Sequence, residues 1–224
     1  MSRVDFSLYL VTDRHQTAGR PLVPLIEQAL RAGARAVQLR ERGLDTRSVL
    51  ALAEELLPII RRHRAALFVN DRIDVALALD ADGVHLRATS VPVRVARRLV
   101  GERRLVGVSV HSTDEAARAE SEGADFAVLG PIYETASKRE YGPPIGLRAI
   151  EEASRRCRIP IFGIGGITPA RASDVRQAGA HGVAVISSVL AAASVESAVK
   201  EFMTTLSGAR VENRTEVDRP PGRC

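Results

Sequence analysis

Eight short apolar runs, each separated from the next by a longer segment with helical spacing, constrain the fold of this 224-residue chain most strongly. Each run is too short for a helix, and several are rich in Val and Ile, as buried parallel strands are. The predicted strands cover residues 8–11, 36–39, 66–69, 83–86, 105–110, 126–129, 159–164 and 182–186.

The segments around these runs place apolar residues at three- and four-residue intervals, which predicts amphipathic helices over 24–31, 46–63, 72–79, 91–100, 113–122, 147–156, 169–178 and 195–205. Alternating strands and helices with short links favour right-handed βαβ units and a parallel sheet. Because there are eight repeats, we predict an α/β fold, a single (β/α)8 TIM barrel over residues 1–206. The polar composition from Ser207 onward predicts a disordered tail over 207–224.

The net charge of +5 fits anionic ligands, but aromatic residues make up only 4% of the chain and Trp is absent. Stacking platforms for nucleic acid are therefore scarce, and we expect phosphorylated small molecules and no nucleic acid as partners. No apolar run reaches the roughly 18 residues of a membrane span, and the first residues do not resemble a signal peptide. With only Cys157 and Cys224, a reducing compartment fits. We expect a cytoplasmic protein without a membrane partner and leave a homodimer open.

In a barrel, side chains at the carboxyl ends of the strands form the site. Strand two ends at Gln38, Arg40 and Arg42. A buried Gln can hold a ligand ring by donating and accepting hydrogen bonds, and Arg can bind phosphate through two N–H groups. The alternative for this group is a polar layer of the barrel with surface salt bridges.

Two further strand ends carry groups that suit a metal or a proton transfer. Asn70 and Asp71 follow strand three, where a carboxylate suits a Mg²⁺ ligand or, equally, a helix cap. Ser109 and His111 end strand five, where they could contact phosphate or move a proton; capping and local packing are the alternative.

Three loops after later strands are candidate phosphate sites. The long loop after strand six, which could act as a lid, contains Thr135, Ala136, Ser137 and Lys138. Barrels frequently hold phosphate between the loops after strands seven and eight. Here those loops carry Gly165, Gly166, Ile186 and Ser187. The alternative for the two glycines is a tight strand–helix turn.

Six segments, in order, resemble signatures of the thiamine phosphate synthase/TenI superfamily. They are LYLVTD at 8–13, QLR at 38–40, ND at 70–71, ADGVHL at 81–86, GPIY at 130–133 and GIGGI at 163–167. The resemblance covers about residues 6–190. It implies a barrel enzyme of thiamine biosynthesis, either the synthase or the TenI-type thiazole tautomerase.

The synthase joins hydroxymethylpyrimidine diphosphate to a thiazole phosphate and releases diphosphate. For this activity the resemblance implies Mg²⁺ bound at Asp71 and Lys138 among the catalytic residues. The implied pyrimidine diphosphate contacts are Gln38, Arg40, Arg42, Asn70, Ser109 and Lys138. The implied thiazole phosphate contacts are Thr135, Ala136, Ser137, Gly166, Ile186 and Ser187.

The chain departs from the synthase pattern after strand four. The family has His-x-Gly-Gln followed by acidic residues, whereas residues 85–90 here read HLRATS, so that Ser90 stands in place of the second acidic metal ligand. Arg42 also replaces the usual Lys.

A tautomerase would need no metal, only a proton-transfer residue. The His that TenI can use after strand six is replaced by Pro131, which leaves His111 as the candidate. The third hypothesis is a non-catalytic protein that binds thiazole phosphate. We favour the synthase, a transferase, because more of its polar contacts are kept.

Overall fold

Eight parallel strands close into a barrel in the order β1 to β8 in the computed structural model, which describes residues 3–135 and 143–208. Each strand pairs in parallel with its neighbours in sequence, and β8 pairs with β1. The predicted (β/α)8 barrel is therefore confirmed. The strands are β1 Leu8–Val11, β2 Ala36–Leu39, β3 Ala66–Asn70, β4 Gly83–Leu86, β5 Leu105–Val110, β6 Phe126–Leu129, β7 Ile161–Ile164 and β8 Gly182–Val185.

Helices follow the strands around the barrel. They are α1 Leu22–Arg31, α2 Thr46–Arg62, α3 Ile73–Ala78, α4 Val93–Val100, α5 Thr113–Ser121, α6 Gly146–Arg156, α7 Pro169–Gln177, α8 Ser187–Leu190 and α9 Val195–Gly208. Helix α9 extends two residues beyond the predicted boundary at 206, and residues 209–224 lie outside the described part. Across the described ranges, none of the helices has the length and apolar character needed to cross a membrane.

Most elements lie within two residues of their predicted bounds, and the differences have local causes. Strand β7 begins at Ile161 rather than at residue 159, since Pro160 has no N–H to donate to a strand ladder. Two short elements were not predicted: a 3-10 helix at Arg14–Gln16 and helix α8 directly after β8. Both are too short to show an amphipathic period.

The barrel interior is filled by aromatic rings that lie beside glycines on the neighbouring strand. Phe68 is in register with Gly83, Phe126 with Gly107 and Phe162 with Gly182. A Cβ added to these glycines would come within 2.7, 2.3 and 2.8 Å of the respective ring. Each ring therefore occupies the space that a side chain on the adjacent strand would need.

Phe6, which precedes β1, completes this interior cluster. Its ring centroid lies 5.3 to 5.7 Å from those of Tyr9, Phe68, Phe126 and Phe162. The contacts with Phe68 and Phe126 are edge-to-face and the contact with Phe162 is stacked, which are favoured geometries of aromatic pairs. The barrel interior is thus a packed core that includes a residue from the segment before β1. Open space for a ligand at the carboxyl ends of the strands lies outside this core.

We expect Phe126→Ala to lower the free energy of unfolding by about 3–5 kcal/mol, since it removes a fully buried ring from this cluster. Urea unfolding followed by circular dichroism measures the effect. The matched control is Leu99→Ala, at a position 55% exposed, which should cost no more than about 0.5 kcal/mol. Equal losses in the two variants would contradict a core centred on the aromatic rings.

Candidate active site

Two adjoining cavities open at the carboxyl ends of the strands, and Ile164 and Ile186 line both of them. One cavity, of about 400 Å³, is lined by the loops after β7 and β8, and we call it the glycine cavity. The other, of about 290 Å³, is lined by residues following β2, β4 and β5, and we call it the arginine cavity. Two ligands bound in these cavities would therefore meet across the shared isoleucines.

The glycine cavity depends on a backbone turn that only glycine tolerates. Gly165 and Gly166 have φ values of 101° and 63°, in the left-handed region. A Cβ on Gly166 would lie 2.4 Å from the Glu134 carbonyl oxygen, and one on Gly165 would lie 2.8 Å from Pro131 Cβ. The bare backbone therefore lets the turn lie close against the loop after β6 and still border open space.

Two helices begin at this cavity. Helix α7 follows Thr168, whose side-chain oxygen accepts a hydrogen bond from Arg171 N at 3.4 Å, and α8 begins at Ser187 immediately after β8. N–H groups in the first turn of a helix lack partners within the helix and can bind an anion, but in α7 the Arg171 N–H is already bonded to Thr168 and Pro169 has no N–H. Ser187 and Thr135 both line this cavity, as predicted for a phosphate site.

The arginine cavity gathers three guanidinium-bearing residues, Arg40, Arg42 and Arg87, around one space. Arg40 is held by its backbone N–H, which donates to Thr12 Oγ1 at 2.9 Å, and its Nη1 lies 3.9 Å from Asp13 Oδ2. Arg42 is exposed at the rim. Three positive side chains at one opening fit a ligand with several negative charges.

A buried chain of hydrogen bonds crosses the floor of this cavity. Gln38 Nε2 donates to the Tyr9 hydroxyl at 3.2 Å, that hydroxyl lies 3.4 Å from His85 Nδ1, and His85 Nε2 lies 2.9 Å from Ser109 Oγ. Burial, and then the charge of Arg40, lowers the pKa of His85 to about 3. Burial also raises the pKa of Tyr9, so its hydroxyl keeps its proton.

The protonation states fix the direction of this chain. A neutral His85 that accepts from the Tyr9 hydroxyl at Nδ1 carries its proton on Nε2 and donates it to Ser109. The Ser109 hydroxyl hydrogen then remains to be donated to a ligand in the cavity. His85 can therefore reach a ligand only through Ser109.

Asn70 and Asp71 lie at the end of β3 but line neither of the two cavities. Asp71 has a φ of 64°, and its N–H donates to the His85 carbonyl oxygen at 2.9 Å. One carboxylate oxygen accepts from Ser90 Oγ, and the other accepts from Nη2 and, at 3.1 Å, from Nε of Arg87. Arg87 lines the arginine cavity, so it is this residue that meets the ligand space.

The ionisation of Asp71 follows from these contacts. Partial burial opposes the charged form, but the hydrogen bonds from Ser90 and Arg87 and the charges of Arg87 and Arg72 outweigh it, so the pKa of Asp71 is lowered. The carboxylate is therefore ionised and already paired with a cation from its own chain.

His111 lines the arginine cavity, and one of its ring nitrogens is held by a hydrogen bond. Its Nδ1 lies 2.7 Å from the Gly130 carbonyl oxygen, which can only accept, so Nδ1 carries a proton. In the neutral ring Nε2 is then the acceptor, which is the arrangement that a proton-transfer residue needs.

Of the predicted residues, the structure brings together Gln38, Arg40, Arg42, Ser109 and His111 in one cavity, and Thr135, Gly165, Gly166, Ile186 and Ser187 around the other. The predicted Ala136, Ser137 and Lys138 lie within 136–142, outside the described residues.

Sequence reasoning did not single out several cavity residues, among them Arg87, Arg171 and Gln16. Arg171 could have been found, because a cation in the first turn of a helix opposes the helix dipole and so suggests another role. Its Nη1 donates to the Gly166 carbonyl oxygen at 2.8 Å, and its guanidinium lies 4.6 Å from the Tyr133 ring centroid.

A (β/α)8 barrel with a glycine-lined cavity beside an arginine cavity at its strand ends is typical of barrel enzymes that act on phosphorylated small molecules. Residues 8–189 match the family model described as "TMP-TENI: Thiamine monophosphate synthase". The chain belongs to the thiamine monophosphate synthase family, and the family resemblance read from the sequence motifs is confirmed.

The names of similar proteins agree with this family assignment. The chain is 48% identical over 191 residues to a "Putative thiamine-phosphate synthase" of Geobacter sulfurreducens, covering 85% of this chain and 90% of that one. It is 46% identical over 193 residues to the "Thiamine-phosphate synthase" of Roseiflexus castenholzii, with coverages of 86% and 85%. The solved structure of the "Thiamine phosphate pyrophosphorylase from Pyrococcus furiosus" superposes with a TM-score of 0.83 at 35% identity, covering 92% of this chain and 98% of that one.

We expect Gly166→Ala to weaken binding of inorganic phosphate by roughly tenfold or more, equivalent to one charge-assisted hydrogen bond. The added Cβ would displace the backbone from the Glu134 carbonyl oxygen. Calorimetric titration measures the Kd. The control is Gly101→Ala, which likewise places a Cβ at a positive φ, 69°, but whose Cβ meets nothing within 4 Å. Unchanged phosphate affinity in Gly166→Ala would place the anion elsewhere.

The low pKa of His85 predicts a pH-dependent contribution to stability. In the unfolded chain His85 takes up a proton near pH 6.5, but in the folded protein it does so only near pH 3, so stability falls as pH drops through this window. Replacing His85 by Gln should flatten the dependence of unfolding free energy on pH between 7 and 5 by up to about 1 kcal/mol per pH unit.

Urea unfolding at several pH values tests this expectation, with His15→Gln at an exposed position as the control. The control should keep the slope of the unmodified chain. A parallel slope in His85→Gln would contradict a neutral, buried His85.

Proposed function

We propose that this chain is a thiamine-phosphate synthase, a transferase of thiamine biosynthesis. It would join hydroxymethylpyrimidine diphosphate to a thiazole phosphate, giving thiamine phosphate and diphosphate. The observation that carries the proposal is the pair of adjoining cavities that share Ile164 and Ile186, one suited to a multiply charged anion and the other to a phosphate. Relatives at 42–48% identity named as this synthase support it.

The arginine cavity would take the pyrimidine diphosphate. Gln38 at its floor can hydrogen-bond the ring, while Arg40, Arg42 and Arg87 surround the diphosphate. As the bond from the pyrimidine methylene to diphosphate breaks, negative charge grows on the leaving group. Positive side chains already in place stabilise that charge more than they stabilise the substrate, which lowers the barrier. The Ser109 hydroxyl adds a donor to the same anion.

The glycine cavity would anchor the thiazole through its phosphate, at Gly165, Gly166 and Ser187. An anchored thiazole presents its ring nitrogen toward the neighbouring cavity, where the methylene becomes electrophilic. Holding the two partners side by side replaces a bimolecular encounter by a reaction within one complex, which can supply about 7–11 kcal/mol of the barrier.

The family resemblance implies Mg²⁺ at Asp71, and the contacts of this side chain do not fit a resident ion. Both carboxylate oxygens accept hydrogen bonds from Arg87 and Ser90, and Ser90 offers a neutral hydroxyl where a second carboxylate would be needed. Within residues 3–135 and 143–208, no group of three or more His, Cys, Asp or Glu side chains is arranged to hold a metal ion. Mg²⁺ bound at Asp71 is therefore no part of the proposed mechanism.

A turnover assay tests the proposal. Purified protein supplied with both substrates and Mg²⁺ should form thiamine phosphate and diphosphate in equal amounts. Ser109→Ala should lower kcat/KM by roughly tenfold, the loss of one hydrogen bond to a charged group. Folded protein that forms no product would contradict the synthase proposal.

The second candidate is a thiazole tautomerase, and the orientation of His111 favours it. A neutral His111 with its proton fixed on Nδ1 has Nε2 available to move a proton at a ligand in the cavity. Under this alternative the chain aromatises the thiazole carboxylate phosphate without the pyrimidine substrate, and His111→Ala slows the reaction. Binding of thiazole phosphate without either reaction would indicate the non-catalytic binder.

A further inference from the structure

We propose that Arg87 is a diphosphate-binding residue that takes the position of a cation at Asp71, so that Asp71 positions a guanidinium instead of ligating a divalent metal ion. The inference rests on the proposed function in one respect, since it takes the arginine cavity to be the diphosphate site. It concerns a residue that the motifs assign no role and that differs from the Gly of the family pattern.

Hydrogen bonds from the chain itself occupy both oxygens of the Asp71 carboxylate. The carboxylate receives hydrogen bonds from Nε and Nη2 of Arg87 on one oxygen and from Ser90 on the other. The Arg87 N–H donates to Ser90 Oγ at 2.8 Å, and the Ser90 N–H donates to the Arg87 carbonyl oxygen at 3.0 Å. The turn after β4 therefore closes on Asp71 through both of these residues.

Asp71 and Arg87 lie in that order from the barrel wall to the ligand space. Asp71 is 24% exposed at its side chain and lines neither cavity, whereas Arg87 is 45% exposed and lines the arginine cavity. The guanidinium thus lies between the carboxylate and the ligand. A metal ion on Asp71 would have to displace it and break the two hydrogen bonds that it donates.

Arg87 has more hydrogen-bond donors than its contact with Asp71 uses. Its bonds to Asp71 use Nε and Nη2, and no residue in the described ranges accepts from Nη1. Nη1 can therefore donate to a phosphate oxygen without loss of the Asp71 pair. A planar guanidinium held on one edge by a carboxylate keeps its orientation, which reduces the entropy lost on binding an oxyanion.

Binding of inorganic diphosphate to the full chain in EDTA tests the role of Arg87. We expect the unmodified chain to bind diphosphate without a divalent ion and Arg87→Gln to raise the Kd by roughly tenfold or more. The matched control is Arg94→Gln, which also removes an arginine paired with a carboxylate, here Glu122 at 3.5 Å, but lies outside both cavities. Its Kd should not change. Equal affinity in Arg87→Gln and the unmodified chain would overturn the proposal.

A double-mutant cycle tests the positioning role of Asp71. Asp71→Asn should raise the diphosphate Kd several-fold in the unmodified chain and have no further effect in the Arg87→Gln background, since there is no guanidinium left to orient. Additive losses would mean that Asp71 acts independently of Arg87 and would contradict the proposal.

Mn²⁺ titration followed by electron paramagnetic resonance, with no substrate present, supplies a readout separate from turnover. We expect no saturable Mn²⁺ binding that depends on Asp71 in the unmodified chain. Tight Mn²⁺ binding that Asp71→Asn abolishes would overturn the proposal. A chain that forms no thiamine phosphate yet binds diphosphate through Arg87 would contradict only the proposed function, so the two failures are distinguishable.

Discussion

The packing of aromatic rings against glycines inside the barrel is the constraint on which the rest of the structure depends. Phe68, Phe126 and Phe162 each fill the space left by a glycine on the adjacent strand, and Phe6 joins them from the segment before β1. This filling makes the interior solid, so the two cavities of the candidate site lie above it, at the carboxyl ends of the strands. The functional residues can then be polar without being buried in the core.

The boundary between this core and the site is the hydrogen-bonded chain of Gln38, Tyr9, His85 and Ser109. Tyr9 belongs to both, since its ring packs in the aromatic cluster and its hydroxyl begins the polar layer. Each of these side chains forms a hydrogen bond with the next, as buried polar groups require. The series of hydrogen bonds ends at the Ser109 hydroxyl in the arginine cavity. The charge on the site is thus carried by arginines at the rim, while the layer beneath them is neutral.

The strands could be predicted from the sequence because a buried parallel strand has its own local signal, a short apolar run of β-branched residues. The strand ends then fixed which polar residues share one face, and Gln38, Arg40, Ser109, Gly166 and Ser187 do lie around the two cavities.

Arg87 could not be predicted as a partner of Asp71, because the pair joins loops after different strands and depends on side-chain conformations that no periodicity encodes. The pairing of each aromatic ring with a glycine could not be predicted either, because it is set by the register between strands. Sequence comparison with the family showed a missing carboxylate at Ser90, but only the geometry showed that a guanidinium lies against the remaining one.

The proposed functional centre is a pair of neighbouring anion sites that use arginine, backbone and hydroxyl donors. The most direct test is a crystal structure of the protein with diphosphate and thiazole phosphate bound together. We predict diphosphate in contact with Arg40, Arg42 and Arg87, and the thiazole phosphate at Gly166 and Ser187, with the two ligands meeting beside Ile164. Both anions in one cavity, or a metal ion on Asp71 with Arg87 displaced, would contradict the account.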